Sequence, residues 1–213
     1  MDPGESAFDI ESVLECARET LSIRAQKILE KACVLELNVA RVRGRLKGVN
    51  GTERFRSFIH LLRSRNYRAA FFHEYPVLFD VLTRQLDFVC TNTVQMLTHW
   101  MHDRAHIIET LFDGHDPGAL LGWDTGLGDS HCGGRMVMAL RLANGDRIIY
   151  KPRSLKADIG FARLLAWCNT QLPEQPLRAA RTLDRGDHGW FSPSGTVTGA
   201  APTLVVRPNL THA

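Results

Sequence analysis

The feature of the sequence that most limits the possible folds is a pair of strand-like runs in the second half of the chain, separated by a turn dipeptide. Residues 136–142 are mainly apolar, Asn144 and Gly145 form a dipeptide typical of a hairpin turn, and residues 147–151 form a second strand-like run. This pattern predicts an antiparallel hairpin whose returning strand ends on Lys151. We therefore expect a β-sheet in this part of the chain.

A glycine-rich segment precedes the hairpin. It reads Gly128-Asp129-Ser130-His131-Cys132-Gly133-Gly134-Arg135, and the returning strand continues into Tyr150-Lys151-Pro152-Arg153. Kinase small lobes use the same parts, with a glycine-rich loop over the nucleotide phosphates and a strand lysine that neutralises them. The order of these parts therefore predicts a kinase-like phosphate-binding lobe.

The first half of the chain is predicted to be helical. Apolar residues recur at alternating steps of three and four, which places them on one face of a long helix, or of two helices broken near Ser22. These positions are Ile10, Leu14, Ala17, Leu21, Ala25, Ile28, Ala32, Leu35, Val39 and Val42. Packing within the chain is the favoured interpretation of this face, and a coiled-coil dimer is the alternative.

Further helices are expected along the chain. One would be capped by Thr52, and others would begin near Pro76, run over 93–112 and run over 157–170. The residues expected to face inward after Thr52 are Phe55, Phe58, Ile59 and Leu62. Residues 113–126, which are rich in glycine, are expected to form a loop. Helices followed by a strand pair favour the α+β class.

Composition excludes several classes of protein. The 213 residues are 44% hydrophobic and 23% charged, and a net charge of +3 is too small to indicate a nucleic-acid partner. The five cysteines include no Cys-x-x-Cys pair, so neither a disulfide framework nor a zinc knuckle is indicated. No apolar run reaches membrane-spanning length and the polar start is not a signal peptide, so we expect a cytoplasmic protein.

The two motifs together resemble those of the dehydratase domain of class II lanthipeptide (lantibiotic) synthetases, the LanM-type enzymes. Further similar segments occur in the same order before and after them. They are Tyr75-Pro76-Val77-Leu78, the helix around His102-Asp103-Arg104, residues 161–169 and residues 184–190. The resemblance covers roughly residues 55–190, and Cys132 stands where the family usually has a small polar residue such as Asn.

The resemblance implies a fold and a domain organisation. Residues 1–51 would be an N-terminal helical segment, residues 52–190 a partial dehydratase domain, and residues 191–213 an irregular tail. The fold is expected to be α+β, with a helical N-terminal subdomain followed by the first strands of a lipid-kinase-like dehydratase fold whose C-lobe is missing.

The resemblance also implies an activity. Enzymes of this family use ATP and Mg²⁺ to phosphorylate Ser and Thr of a ribosomal precursor peptide, and then eliminate the phosphate to leave dehydroamino acids. Lys151 would bind the ATP phosphates, and Asp129 and His131 would act in the elimination step. A carboxylate beside an imidazole suits such proton transfers near neutral pH. Arg135 and Arg153 are expected to clamp phosphate.

The sequence after Lys151 is expected to lack other parts of such an enzyme. No series of a catalytic-loop carboxylate, an Asn and a second metal-binding Asp follows this lysine, and no zinc-binding cyclase domain follows either. We therefore expect that the isolated chain neither phosphorylates nor dehydrates a peptide. A non-enzymatic fragment that binds the leader part of the precursor peptide, or a pseudoenzyme, is the alternative.

The last 23 residues differ in character from the rest. Residues 191–213 contain one charged residue, Arg207, and five prolines and glycines that break any periodicity. A natural disordered tail and a slip of the reading frame near Phe191 are the two explanations. The frame slip is favoured, because a globular core rarely ends in a low-charge segment without pattern.

A different enzyme class is suggested by Ser130. The block Gly128-Asp129-Ser130 is similar to the Gly-Asp-Ser block of one esterase class, with Ser130 as the nucleophile. Those enzymes carry the block near an N-terminal strand and pair it with a downstream Asp-x-x-His. Here the block is in mid-chain, and the pair formed by Asp103 and His106 lies upstream, so an esterase is disfavoured.

A group of histidines gives a third possibility. His99, His102 and His106 fall on one helical face with Asp103 beside them, and this spacing permits a metal site. A solvated or core-edge histidine face is favoured instead. No metal ligands are therefore assigned from the sequence.

Basic residues are concentrated in one further segment. Nine of them lie between Arg41 and Arg68, and Glu53 is the single acidic residue among them. They suit a binding surface for an acidic leader peptide, and less well a surface for nucleic acid. A solvated helix face is the simpler alternative.

Overall fold

The computed structural model describes residues 7–124, 136–171 and 177–192. These residues form five helices, namely α1 (Ile10–Val42), α2 (Gly51–Arg63), α3 (Arg65–Glu74), α4 (Pro76–Leu111) and α5 (Lys156–Gln171). They also form five strands, namely β1 (Leu120–Asp124), β2 (Met138–Leu142), β3 (Arg147–Lys151), β4 (Arg181–Asp184) and β5 (Gly189–Ser192). The α+β class and the helical N-terminal part are confirmed. None of the described helices combines the length and the apolar character needed to cross a bilayer.

The five strands form one antiparallel sheet in the order β1-β2-β3-β5-β4. The predicted hairpin joins β2 to β3, and β3 has the predicted bounds. At its turn, Gly145 adopts a φ of +89°, which a residue with a side chain rarely adopts. The Asn144 side chain accepts a hydrogen bond of 2.9 Å from the backbone N–H of Asp146. The local turn chemistry therefore sets the register of the strand that carries Lys151.

Two predictions about the helices are corrected. The cap of α2 is Asn50 and not Thr52, because Asn50 has extended backbone and its side chain accepts a hydrogen bond of 2.9 Å from the N–H of Glu53. The Glu53 carboxylate in turn accepts a hydrogen bond of 2.8 Å from the N–H of Val49. In the same helix Phe58 is buried as predicted, but Phe55 is 54% exposed.

The long helices are more continuous than the sequence suggests. Helix α1 is unbroken at Ser22, and α4 joins the stretch beginning at Pro76 to the stretch predicted over 93–112. Helix α5 matches the predicted 157–170 to within a residue at each end. Along α1 the buried positions are Val13, Cys16 and Ala40, whereas Ile10 and Leu14 of the predicted face are 62% and 49% exposed.

Strand β1 lies inside the segment that was predicted to be a loop. Gly122 interrupts the strand pattern, with a φ of +155°, and the pairing with β2 shifts between Leu120 and Gly122. A bulge of this kind interrupts the alternation of side chains between the two faces of the sheet, so the sequence pattern does not indicate a strand. Strands β4 and β5 were not predicted, and β5 includes Phe191 and Ser192 from the segment assigned to the tail. The rest of that segment, residues 193–213, lies outside the described residues.

The chain divides into two compact units, of which Glu19–Cys90 is one. Within it, the Glu36 carboxylate of α1 accepts hydrogen bonds from the hydroxyls of Tyr67, at 3.5 Å, and Tyr75, at 2.9 Å. These contacts link α1 to α3 and to the residue before α4. Burial and the Glu36 charge raise the pKa of Tyr67 above its usual range.

The other unit contains the sheet, the first turns of α1, and α4 from Thr91 onward. The most deeply buried large side chains of its core are at most 1% exposed, and each contributes roughly 1.5–3 kcal/mol by burial. They include Met96, Trp100, Ile107, Leu120, Met138, Leu140, Ile148, Tyr150 and Trp190. The Trp100 indole N–H also donates a hydrogen bond of 2.7 Å to the carbonyl of Ala7.

The two faces of the sheet carry different groups. Successive side chains of a strand point to opposite faces, so Ile148 and Tyr150 of β3 face the core formed with α4. Lys151 projects from the other face, where it meets α5. Strand β5 begins with Gly189, where an added Cβ would lie 2.5 Å from Cδ1 of Leu155 and 2.7 Å from the carbonyl oxygen of Leu183. Glycine at this position lets the residues that follow Lys151 pass close to the sheet.

Candidate functional site

Lys151, Arg153 and Asp158 form a charged cluster at the end of β3. The Lys151 ammonium Nζ lies 2.7 Å from Oδ1 of Asp158, which belongs to the first turn of α5. The Arg153 guanidinium lies 3.0 Å from the other carboxylate oxygen, Oδ2. The Lys151 and Asp158 side chains are 17% and 19% exposed, and Arg153 is 55% exposed. Two cations share one carboxylate, so the cluster keeps a net positive charge.

The lysine is also held by an aromatic ring. The Lys151 Nζ lies 4.7 Å from the centroid of the Phe191 ring, a cation–π contact across the neighbouring strands β3 and β5. Burial raises the pKa of Asp158, but its hydrogen bond to Lys151 and the charges of Lys151 and Arg153 outweigh burial and lower it overall. Asp158 is therefore ionised at neutral pH, and it orients Lys151.

Asp184, at the end of β4, fixes the turn that follows Lys151. Its Oδ1 accepts hydrogen bonds from the N–H of Leu155, at 2.8 Å, and from the hydroxyl of Ser154, at 3.3 Å. The hydrogen bond from the Leu155 N–H is the main cause that holds the pKa of Asp184 below its usual range. The turn that carries Arg153 is thus tied to the edge strand of the sheet.

The structure places two of the predicted site residues together. Lys151 and Arg153 meet on the same carboxylate. Asp129, His131 and Arg135 lie outside the described residues. In the sequence they come after β1 and before β2.

A second cluster is centred on Asp103 of α4, which is 2% exposed. Its Oδ2 accepts hydrogen bonds from Nε2 of His188, at 2.7 Å, and from the indole Nε1 of Trp190, at 2.8 Å. Its Oδ1 lies 2.9 Å from Nε of Arg185. Burial raises the pKa of Asp103, but the hydrogen bonds from Trp190 and His188 and the charge of Arg185 lower it overall. The core therefore contains an ionised carboxylate with three donors.

Two imidazoles stack beside this carboxylate. The rings of His99 and His188 have centroids 3.6 Å apart and planes 12° apart. Nδ1 of His99 lies 2.9 Å from the hydroxyl of Tyr150, and Nδ1 of His188 lies 2.7 Å from Oδ1 of Asp187. Burial and the neighbouring His188 lower the pKa of His99 below its usual value. His99, Asp187 and His188 each offer one ligand atom, and these atoms lie within 4.8 Å of one another.

This grouping of histidines differs from the grouping suggested by the sequence. His102 and His106 are exposed on α4, whereas His99 is paired with His188 from the turn before β5. The cluster lies on the α4 face of the sheet, because Tyr150, which contacts it, points to the face opposite Lys151. The charged cluster around Lys151 and the imidazole pair are therefore on opposite faces of one sheet.

Some residues of both clusters were not identified from the sequence. Asp158 could have been found, because an acidic residue in the first turn of a helix right after a lysine-ending strand is a local signal. Phe191 and Asp184 lie on strands that were not predicted. Asp103 and His188 belong to segments that carry the resemblance, but 85 positions separate them and no local pattern pairs them.

One family match spans the residues of both clusters. Residues 75–192, more than half of the chain, match the family described as a domain of unknown function (DUF4135). The chain belongs to this family. Comparison with curated proteins gave no match.

Replacing Asp103 tests the buried carboxylate. We expect D103N to lower the free energy of unfolding by about 3 kcal/mol, because it leaves the buried donors of His188 and Trp190 and the charge of Arg185 poorly matched. The control is E15Q, which removes an exposed pair with Arg18 and should cost less than about 1 kcal/mol. Urea unfolding followed by circular dichroism measures both. Equal losses in the two variants would contradict the stabilising role of the Asp103 carboxylate.

Replacing Asp158 tests the charged cluster through pH. The pKa of Asp158 is lowered in the folded chain, so its stabilisation is complete above the ordinary aspartate pKa of about 4 and is lost as the pH falls through the folded value. We expect D158N to lower the melting temperature at pH 7, and the difference from the wild type to shrink toward pH 3. The control is E109Q on the exposed side of α4. A difference for D158N that does not change with pH would contradict this.

Proposed function

We propose that the chain forms the part of a class II lanthipeptide synthetase dehydratase that holds the phosphates of ATP, with Lys151 as the phosphate-binding residue. Two lines of support exist. The residues 128–135 and 150–153 resemble the motifs of these enzymes, and the DUF4135 family is associated with lanthipeptide synthetases. The partner of this activity is a ribosomal precursor peptide, and the proposed location is the cytoplasm.

The observation that carries the proposal is the ion pair of 2.7 Å between Lys151 and Asp158. In protein kinases a lysine of the third strand pairs with an acidic residue of a helix, and this pair must form for phosphoryl transfer. Here the lysine also ends the third strand of the sheet, and the acidic residue lies in the first turn of the next helix. This likeness favours the small lobe of a lipid-kinase-like fold.

The charges of the cluster suit a phosphate group. Asp158 neutralises one of two cations, so an incoming phosphate meets a net positive charge. Lys151 is held in place by Asp158 and the Phe191 ring, and it offers a point charge with its position fixed. Arg153 is more exposed and can turn its planar guanidinium toward the same anion. Arg135 is proposed as a further clamp from the glycine-rich motif.

The reaction proposed for the complete enzyme, of which this chain would form a part, has two steps. First, the hydroxyl oxygen of a peptide Ser or Thr attacks the γ-phosphorus of ATP and loses its proton to a base, and the bond between the γ-phosphorus and the bridging oxygen of the β-phosphate breaks to release ADP. Mg²⁺ bound with ATP would neutralise charge on the transferred group. Second, a base removes the α-proton of the phosphorylated residue and the Cβ–O bond breaks. The phosphate is released, and a dehydroamino acid remains in the peptide. On the resemblance, Asp129 and His131 supply the acid and base of this second step.

A second candidate function is leader-peptide binding without catalysis. Of the nine basic residues between Arg41 and Arg68, all but Arg54 are exposed. The lone acidic residue of this segment, Glu53, is engaged at the start of α2, where it accepts hydrogen bonds from Val49 and Asn50. An acidic peptide would therefore meet a cationic surface, with a strong dependence of affinity on salt.

Nucleotide binding by the whole chain tests the first proposal. We expect titration calorimetry to detect ATP binding in the presence of Mg²⁺, and K151M to weaken it at least tenfold because the charge that meets the phosphates is lost. The control is K156M, which removes an exposed lysine five positions along the chain. Thermal unfolding verifies that both variants are folded. Absence of binding in the wild type, or equal binding by K151M, would contradict the proposal.

A further inference from the structure

We propose that His99, Asp187 and His188 form a binding site for a divalent transition-metal ion of the zinc class. Their three ligand atoms already lie within 4.8 Å of one another. Imidazole nitrogens and a carboxylate oxygen are donors that Zn²⁺ binds at about 2.0–2.2 Å. The site lies on the α4 face of the sheet, opposite Lys151, so it is separate from the proposed phosphate site.

The hydrogen bonds around the two imidazoles favour this assignment. Nε2 of His188 donates to the buried Asp103 carboxylate at 2.7 Å, which directs Nδ1 toward the proposed ion. Nδ1 of His99 contacts the Tyr150 hydroxyl at 2.9 Å, which leaves Nε2 as its ligand atom. Histidines that bind metals usually have their second nitrogen held by a carboxylate or another polar group in this way.

The support of His188 is itself rigid. Asp103 is held by Trp190 at 2.8 Å and by Arg185 at 2.9 Å, and its side chain is 3% exposed. The Tyr150 side chain that supports His99 is part of the buried core. Two of the three ligands therefore contact residues of the buried core.

The third ligand faces the solvent. The Asp187 side chain is 78% exposed, and its Oδ1 lies 2.7 Å from Nδ1 of His188. A metal ion held by these two atoms would replace their direct contact. The exposed side of the site leaves a coordination position for water. Three protein ligands and an open position are the pattern of a catalytic or exchangeable site and not of a closed structural site.

Binding requires one local adjustment. The two rings are nearly parallel and 3.6 Å apart, while a metal ion accepts the lone pair that lies in the plane of each ring. His99 must therefore tilt out of the stack to share an ion with His188. His99 is only partly buried, which leaves room for this movement. The alternative is that the two stacked histidines have only a structural role, in which hydrogen bonds hold them and no metal binds.

Titration of the chelator-treated whole chain with Co²⁺ and then Zn²⁺ tests the proposal. We expect one Co²⁺ ion to bind per chain and to show the visible absorption bands of an ion with a low coordination number. Zn²⁺ should displace Co²⁺ and raise the melting temperature of the chain. H99A and D187N should each weaken binding at least tenfold. These two positions are chosen because His188 also holds Asp103, and its loss could unfold the chain.

The matched controls are H102A and H106A, which remove exposed histidines from the same helix and should leave Co²⁺ affinity unchanged. Absence of the absorption bands in the wild type would overturn the proposal. Equal losses in H99A and H102A would also overturn it, because the ion would then bind a surface histidine pair. The readout uses the metal alone, so its result is independent of nucleotide binding at Lys151.

Discussion

The sheet unit of this protein depends on one buried charge, the carboxylate of Asp103. A buried carboxylate costs several kcal/mol unless donors surround it, and here His188, Trp190 and Arg185 supply them. All three come from the turn before β5 or from β5 itself, while Asp103 comes from α4. The carboxylate therefore fixes where β5 lies against α4. Because β5 pairs with β3, the position of β5 also determines which side chains lie beside Lys151.

Strand β3 transmits this constraint from one face of the sheet to the other. Tyr150 is paired with Trp190 and points to the α4 face, and the next residue, Lys151, points to the α5 face. The residue that follows Trp190 is Phe191, whose ring lies 4.7 Å from the lysine ammonium. A packing arrangement on one face thus positions the charged cluster on the other. Neighbouring residues of these two strands thus contact both proposed sites: Tyr150 and Trp190 lie beside the proposed metal site, and Lys151 and Phe191 belong to the proposed phosphate site.

Local sequence patterns predicted the elements that local chemistry determines. The turn at Asn144 and Gly145, the end of β3 on Lys151 and the extent of α5 are examples. The pairing of Asp103 with His188 was not predictable, because it joins residues 85 positions apart through the fold. Strand β1 was missed because Gly122 and a bulge disrupt its alternation. The cap of α2 was misplaced by two residues, since Asn50 and Thr52 are both good caps and only the backbone distinguishes them.

The proposed function requires Lys151 to lie against the phosphates of ATP. An ATP analogue with an acyl group on its terminal phosphate transfers that group to a nearby lysine amine, and peptide mass spectrometry then identifies the lysine. We expect Lys151 to be acylated and an excess of ATP with Mg²⁺ to prevent this, while exposed lysines such as Lys156 react equally with and without ATP. Acylation of Lys151 that ATP does not prevent, or no acylation of it at all, would contradict the claim.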